Sequence, residues 1–463
     1  MWLALLAFTS ALHAQTPAKP FPSALQEVLS GPEFRSTQSE IRSIELDYAS
    51  RELVLQPVIE VEGKRFNENR ELLNRNALTT RPRIDSLGFT LIKPFSTGTA
   101  IGIGPRYEYA LTPVLTPGHR HTVDWNISLT QSLWKDAFGR STTFRRSREE
   151  YQRKQELAQA LLRQGQMLYD FEVLYWDWAT ALRESELQAK NVRRSREILR
   201  WVQDRFRRAA AESTDLLQAR ALLSRRELQV SALQFSLTQV GTRIERYVPN
   251  RQWQPDPKDL SVLRSPEDLL MDWKADALGK VVQIQYLQAQ NEALADEERA
   301  REARESIRPE LDLALTYGKN AIDTDSGSAL RRSYAEEHEY SSIGVVFRSG
   351  LDLSSERKKV ESARAAREAS AQRREARQSE NRVAWEQLKK ELSDLQERIE
   401  RANELVELQT RKANAERERY RVGRSTAFQA ITFEQEAVEA EITLWQLYGL
   451  MRKTEARARL FAR

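Results

Sequence analysis

The chain has 463 residues, a net charge of +5 from 72 Lys plus Arg against 67 Asp plus Glu, no cysteine, and a mean hydropathy of −0.63. Charges of both signs alternate along it, which is the pattern of a solvated helical surface and not of a nucleic-acid-binding face. No run approaches the ~18 apolar residues of a membrane-spanning helix, and there is no thiol to ligate a metal or carry a lipid.

The first segment, "WLALLAFTSALHA" (Trp2–Ala14), is apolar and ends in a small residue. It predicts a signal peptide over 1–14 and hence export; a disordered or membrane-leaning N-terminal tail is the other reading. A helix is expected over 23–50. Residues 53–133 then read as strands. In "TVDWNISLT", Val123, Trp125, Ile127 and Leu129 alternate with polar residues, and "IGIGPRYEYAL" places Ile101, Ile103, Tyr107, Tyr109 and Leu111 on one side. Leu53, Leu55, Ile59 and Val61 give a weaker case. Period-two alternation describes a half-buried strand and equally a barrel strand with one face in lipid. An additional alternating pair, Phe89–Lys93 and Ile101–Leu111 joined by "STGTA", either widens the sheet by a hairpin or stands outside it.

Long helices are predicted over 141–210 and, after a break, 213–248. The proline-bearing stretch 249–265 reads as a linker. The second half follows the same order: a helix over 266–304, strands over 308–349 (Leu311, Leu313, Leu315, Tyr317; Ile343, Val345, Phe347), then helices over 354–421 and 425–463. In the long helix Leu388, Leu392, Leu395, Ile399, Ala402 and Val406 are spaced by four and three in turn, the seam of a left-handed coiled coil. At 1.5 Å per residue such a helix spans on the order of 100 Å.

The halves align. "RFRRAAAESTDLLQARA" from Arg205 lies on "RYRVGRSTAFQAITFEQ" from Arg419 at an offset of 419 − 205 = 214, and "SLTQSLWKDAFG" from Ser128 meets "SIGVVFRSGLDL" from Ser342 at the same offset. An internal duplication follows, with repeats over 15–248 and 266–463. Each repeat ends in a long helix, a sharp turn and a helix about half as long.

This arrangement resembles the TolC-like outer-membrane efflux protein family (outer membrane factors). The most specific motif is the aromatic, Val-Gly, Ser/Thr turn, met here by Tyr420, Val422, Gly423, Ser425 and Thr426. The first copy keeps Phe206, Ser213, Thr214, Asp215, Leu216 and Ala219 but has Arg208-Ala209 in place of Val-Gly, which predicts a looser or differently shaped turn. The resemblance implies a mainly α chain with a transmembrane β-barrel portion. Long helical hairpins would form a trimeric α-barrel tunnel, and strands from three chains would close one β-barrel. It further implies a non-enzymatic exit duct without cofactors, in the outer membrane with a periplasmic extension. Its partners would be outer-membrane lipid, a periplasmic adaptor (membrane fusion) protein and an inner-membrane transporter. The alternative is a periplasmic coiled-coil adaptor or scaffold without a pore, its strands in a small sandwich.

At the second turn, Gly423 is expected to end one helix in a left-handed conformation and Ser425 or Thr426 to cap the next. The resemblance makes Val422, Gly423, Arg424, Ser425 and Thr426 adaptor-docking residues, with Ser213, Thr214, Asp215 and Leu216 as the weaker counterpart. It also implies a constriction at the tunnel mouth. The matching positions Gln429 and Thr432 are neutral, so closure by Tyr420 and polar contacts is expected instead of an acidic ring. His119 and His121 sit in "TPGHRHT", which reads as a turn and not as a metal site. Tyr169, Phe171, Tyr175, Trp176 and Trp178 read as helix packing. No phosphate-binding loop, nucleophile–base pair or catalytic carboxylate pair is present, so no enzyme or nucleic-acid role is expected.

Overall fold

The computed structural model describes residues 17–51, 55–67, 83–112, 118–209, 211–262, 284–335 and 338–461. The expected signal peptide and the first part, 266–283, of the helix expected over 266–304 lie outside these. In chain order the elements are β1 (Ala18–Lys19), α1 (Phe21–Leu29), α2 (Pro32–Arg51), β2 (Val58–Asn67), β3 (Arg83–Pro94), β4 (Thr99–Thr112), β5 (Gly118–Ser132), α3 (Arg140–Arg207) and α4 (Ser213–Glu245). There follow β6 (Gln254–Pro255), α5 (Ile284–Ser306), β7 (Glu310–Asp323), α6 (Ser326–Ala335), β8 (Glu339–Arg348), α7 (Ser354–Arg421) and α8 (Ala427–Ala458).

The helices recur at the offset read from the sequence. Both α3 and α7 have 68 residues, and 354 − 140 and 421 − 207 both equal 214; α4 and α8 begin at the same offset, 427 − 213 = 214. The chain nevertheless divides into two compact units that each draw on both repeats: 1–42, 157–288 and 375–463 in one, 43–156 and 289–374 in the other.

The first unit is helical. The coiled-coil seam is real: Leu388, Leu392, Leu395 and Ile399 are buried against Leu444, Met451, Ala458 and Phe461 of the returning helix α8, with Ala402 and Val406 partly buried beside them. A second core surrounds the aromatic stretch of α3, where Phe171, Tyr175, Trp176 and Trp178 pack with Ala24, Val28, Tyr247, Trp253 and Leu260. The segment read as a linker is therefore folded onto α3. β6 pairs in parallel with β1, the Tyr175 hydroxyl donates to the Lys19 carbonyl at 2.8 Å, and Phe21 N–H donates to Asp259 at 2.9 Å. Arg452 donates to the Asp259 carbonyl at 2.6 Å. Burial raises the carboxyl of Glu172 above its usual range, although Arg459 and the Trp176 indole N–H hold its charged form. The helix expected over 23–50 breaks at Gly31, where a Cβ would stand 2.6 Å from the Tyr247 carbonyl oxygen.

The second unit holds one six-stranded antiparallel sheet of order β2-β3-β4-β5-β7-β8. The additional alternating pair lies inside it as β3 and β4. Its turn is fixed to the start of α3: a Cβ on Gly98 (φ +69) would lie 2.8 Å from the Asp136 carbonyl oxygen, and one on Gly139 (φ +77) only 1.6 Å from that of Ser96. Asp136 in turn accepts from the backbone and hydroxyl of Thr142, both at 3.0 Å. "TPGHRHT" is not simply a turn, because His119 and His121 belong to β5 opposite Leu111 and Tyr109, with His121 Nδ1 2.5 Å from the Tyr107 hydroxyl. α6, which the sequence reading did not foresee, packs on β5 and β7, its Tyr334 ring 5.1 Å from Trp125.

The seam carries the helical unit's second hairpin. Leu392→Ala should cost about 2–5 kcal/mol. Hydrogen exchange should show faster opening across α7 and α8 from 385 to 461, with the sheet amides unchanged.

Candidate functional site

Two features stand out, the tips of the helical hairpins and the faces of the sheet. At the second tip, α7 ends in a Schellman arrangement. Gly423 takes φ +80, Arg424 N–H donates to the Arg419 carbonyl at 2.8 Å and Gly423 N–H to that of Tyr420 at 3.0 Å. These bonds satisfy carbonyls that a helix end leaves unpaired. Thr426 is the N-cap of α8, its hydroxyl accepting from Gln429 N–H at 3.3 Å. Ser425 instead reaches back, donating to the buried carboxylate of Glu416 and lying 3.2 Å from Gln429 Oε1. Val422, Gly423, Arg424 and Thr426 are exposed.

The first tip turns the same way without glycine. Ala209, at Gly423's position under the 214-residue offset, takes φ +55, with Ala209 N–H donating to the Phe206 carbonyl at 3.0 Å. The expected difference in turn shape is thus not in the handedness of that residue. Ser213 and Thr214 are not caps: Ser213 opens the helix after the N-cap Glu212, and Asp215 accepts from Glu212 N–H at 3.3 Å, half of a capping box. Leu216 and Asp215 are half-buried.

The two tips share one core, Ile198, Val202, Ala219, Leu222, Tyr420, Ala427, Ala430 and Ile431, with Leu216 partly buried against it. Tyr420, expected at a constriction, is 3% exposed within this core, its ring 5.1 Å below the Arg205 guanidinium. Burial raises its hydroxyl above the ordinary range. Gln429 is exposed and Thr432 half-buried. Glu434 is buried and joins three helices, accepting from Arg194 of α3 at 2.8 Å and Arg417 of α7 at 2.5 Å. Exposed apolar side chains at the tips, Phe428 and Leu217, escaped the sequence reading.

The sheet has two unlike faces. The register aligns Ile59, Leu91, Ile103, Ile127 and Tyr317 in one row, and Ile101, Leu129, Leu315 and Ile343 in the next. Leu91, Ile103, Ile127 and Tyr317 are 44–46% exposed, Ile59 71% and Ile343 75%. The opposite face aligns Glu62, Gly88, Arg106, Asp124 and Asn320, and Tyr340 bonds Asp124 across it at 2.9 Å. Tyr107 and Tyr109 lie toward one end of β4, whereas Trp125 and Tyr317 are mid-strand in β5 and β7. Among the described residues no helix is long and apolar enough to cross a membrane, and no group of three or more His, Asp or Glu side chains is placed to hold a metal.

This combination of helical hairpins and a one-sided apolar sheet is found in solved structures. The fold is that of outer-membrane channels. The channel OprN superposes with a TM-score of 0.66 at 15% identity, over 95% of this chain and 89% of that one. VceC from Vibrio cholerae gives 0.64 at 11%, over 95% of each. The open state of the Neisseria gonorrhoeae MtrE outer membrane channel gives 0.61 at 13%, over 95% and 87%. No family model and no curated protein matches the sequence. The fold is thus shared at identities of 11–15%.

A left-handed Ala strains the first tip, as a left-handed conformation disfavours any residue with a Cβ. Ala209→Gly should slow hydrogen exchange of the last turn of α3 by roughly two- to fivefold, and Gly423→Ala should speed that of α7 by about fivefold, near 1 kcal/mol. Equal rates in variant and parent would show that neither turn is strained.

Proposed function

We propose that this chain is the outer-membrane exit duct of an efflux or secretion assembly, passing solutes from the periplasmic side to the exterior. The observation that carries this reading is the sheet. Its apolar face shows an exposed side chain on each of the six strands (Ile59, Leu91, Ile103, Ile127, Tyr317 and Ile343), with α6 covering Val123 and Ala321 at one end, and both edge strands, β2 and β8, are exposed throughout. In water an apolar face this large would be an aggregation site; in a bilayer it is the required surface. An open edge cannot remain in hydrocarbon, where each unsatisfied backbone group costs several kcal/mol, so copies of the chain must close the barrel together. The resemblance supplies the number, three. The same sheet speaks against the adaptor or scaffold alternative, because its strands are not folded into a sandwich.

The helical hairpins then form the periplasmic part. Their tips, with Val422, Gly423, Arg424, Ser425 and Thr426 on one and Ser213, Thr214, Asp215 and Leu216 on the other, receive a periplasmic adaptor that links the duct to an inner-membrane transporter. Exposed Val422, Phe428 and Leu217 give such a partner apolar anchors beside cationic Arg424. Gln429 and Thr432 line the mouth as neutral polar residues.

The protein should require detergent for extraction, migrate as a heat-sensitive trimer and conduct ions in planar bilayers; a water-soluble monomer would end the duct reading. Gly423→Trp should leave that trimer intact but lower adaptor cross-linking and export about tenfold, the effect of losing ~1.4 kcal/mol. Unchanged cross-linking would remove the docking role from this tip.

A further inference from the structure

We infer that each copy contributes six strands to the barrel, joined by antiparallel pairing of β8 with β2 of the next copy, so that three copies close an 18-stranded wall. This inference rests on the trimeric duct proposed above and specifies how it closes. The alternative is that the β2–β3 hairpin stands outside the wall, leaving four strands per copy and twelve in all.

Four observations favour the wider barrel. First, β3 is paired to β4 in one register on both sides of a short break at Phe89 and Thr90, from Arg83 opposite Leu111 to Gly88 opposite Arg106 and from Leu91 opposite Ile103 to Pro94 opposite Ala100. The turn between them is pressed onto Gly139 at the start of α3. The hairpin is therefore built into the sheet. Second, the strand count is even, so β2 and β8 run in opposite directions and joining them continues the antiparallel order. Third, both edges have ten residues. Laid end to end, Ile59 and Val61 fall opposite Phe347 and Val345, so the exposed apolar face continues across the seam. A slip of one residue would turn those side chains to the polar face.

Fourth, the charges are complementary. β2 carries Glu60 and Glu62 toward its first end, where β8 carries Arg348. It carries Lys64 and Arg65 toward its last, where β8 carries Glu339. Opposite charges on facing strands stabilise pairing, and like charges oppose it. With diameter rising roughly linearly with strand number, the wall would enclose a water-filled lumen of the width class of 16–18-stranded barrels.

The chain has no cysteine, so introduced pairs report directly. Within one copy β2 and β8 are separated by four strands, about 24 Å at ~4.8 Å per spacing, beyond the ~7 Å limit for a disulfide. Val61→Cys combined with Val345→Cys, oxidised in isolated outer membranes, should give covalent dimers and trimers that disappear on reduction, while each single variant stays monomeric on the gel. Ile59→Cys with Phe347→Cys should do the same. Two results would overturn the inference alone: absence of both ladders in protein that still runs as a native trimer, or a ladder from Ile103→Cys with Val345→Cys, which places β4 at the seam. A protein that is not a trimer would overturn the duct reading as well. Cryo-electron microscopy of the unsubstituted protein in nanodiscs decides the matter if the variants fail to fold: eighteen strands are expected, and twelve would refute the proposal.

Discussion

The constraint on which the sheet depends is that every backbone N–H and C=O must find a partner. Inside the sheet the ladder supplies it for β3, β4, β5 and β7, whose pairings run the length of each strand. The same requirement fixes how the strands are connected. Each repeat sends an even number of them outward and back, four between α2 and α3 and two between α5 and α7, so all four helices meet the sheet at one end. A hairpin can be added to such a sheet without disturbing this, because two more strands still return the chain to its starting side. The first repeat has two strands more in this sheet than the second, and at the turn between β3 and β4 the close approach is met by Gly98 and Gly139, where any Cβ would collide with the backbone of Asp136 and Ser96.

The helices obey the same accounting at their ends. A 68-residue helix leaves its last carbonyls unpaired, and both hairpins satisfy them by a left-handed residue followed by a capped restart. The two copies reach this with different chemistry. Gly423 takes the conformation without a Cβ penalty and Thr426 caps with its hydroxyl; Ala209 takes it with a Cβ, and Asp215 bonds back to Glu212 N–H. The two tips thus share a geometry while the residues that produce it differ. The tertiary reason is the shared core beneath the tips, where Tyr420, Ala427 and Ile431 of one hairpin pack with Val202, Ala219 and Leu222 of the other. Neither tip can change its reversal without moving that core.

Much of this was legible in the residues. The range 354–421 was read to the residue, because Leu351–Arg463 contains no proline and its seam is regular. The strands announced themselves by alternation, and the offset of 214 exposed the repeat. What escaped reading was what depends on distant partners. Nothing local marks "SGSALRRSYA" as a helix lying on β5 and β7, since Ala329 and Ser333 become buried only against the sheet. The stretch 249–262 looked like a linker because prolines break local pattern, while its burial comes from aromatics of α3 far away in sequence. At the first tip the N-cap is Glu212, which no sequence pattern singled out, with Ser213 already inside the helix.

The carboxylates near the tips show why motif position and function must be separated. Of the acidic residues close to the turns, Glu212 and Glu418 are exposed, whereas Asp215 is half-buried and Glu416 and Glu434 are buried. The last three stand out. Each is engaged within its own chain, Asp215 by the backbone of Glu212, Glu416 by Ser425, and Glu434 by two arginines from two other helices. Glu434 and Glu416 are moreover nearly inaccessible to solvent. Their charge is compensated where it sits, and a buried carboxylate bonded by two guanidiniums ties helices together instead of attracting mobile cations. The exposed groups at the tips thus include apolar Val422, Phe428 and Leu217 and neutral Gln429, with Arg424 among the carboxylates Glu212 and Glu418. Apolar side chains left in water gain from being covered, and it is on these, not on a ring of one charge, that the docking proposal rests.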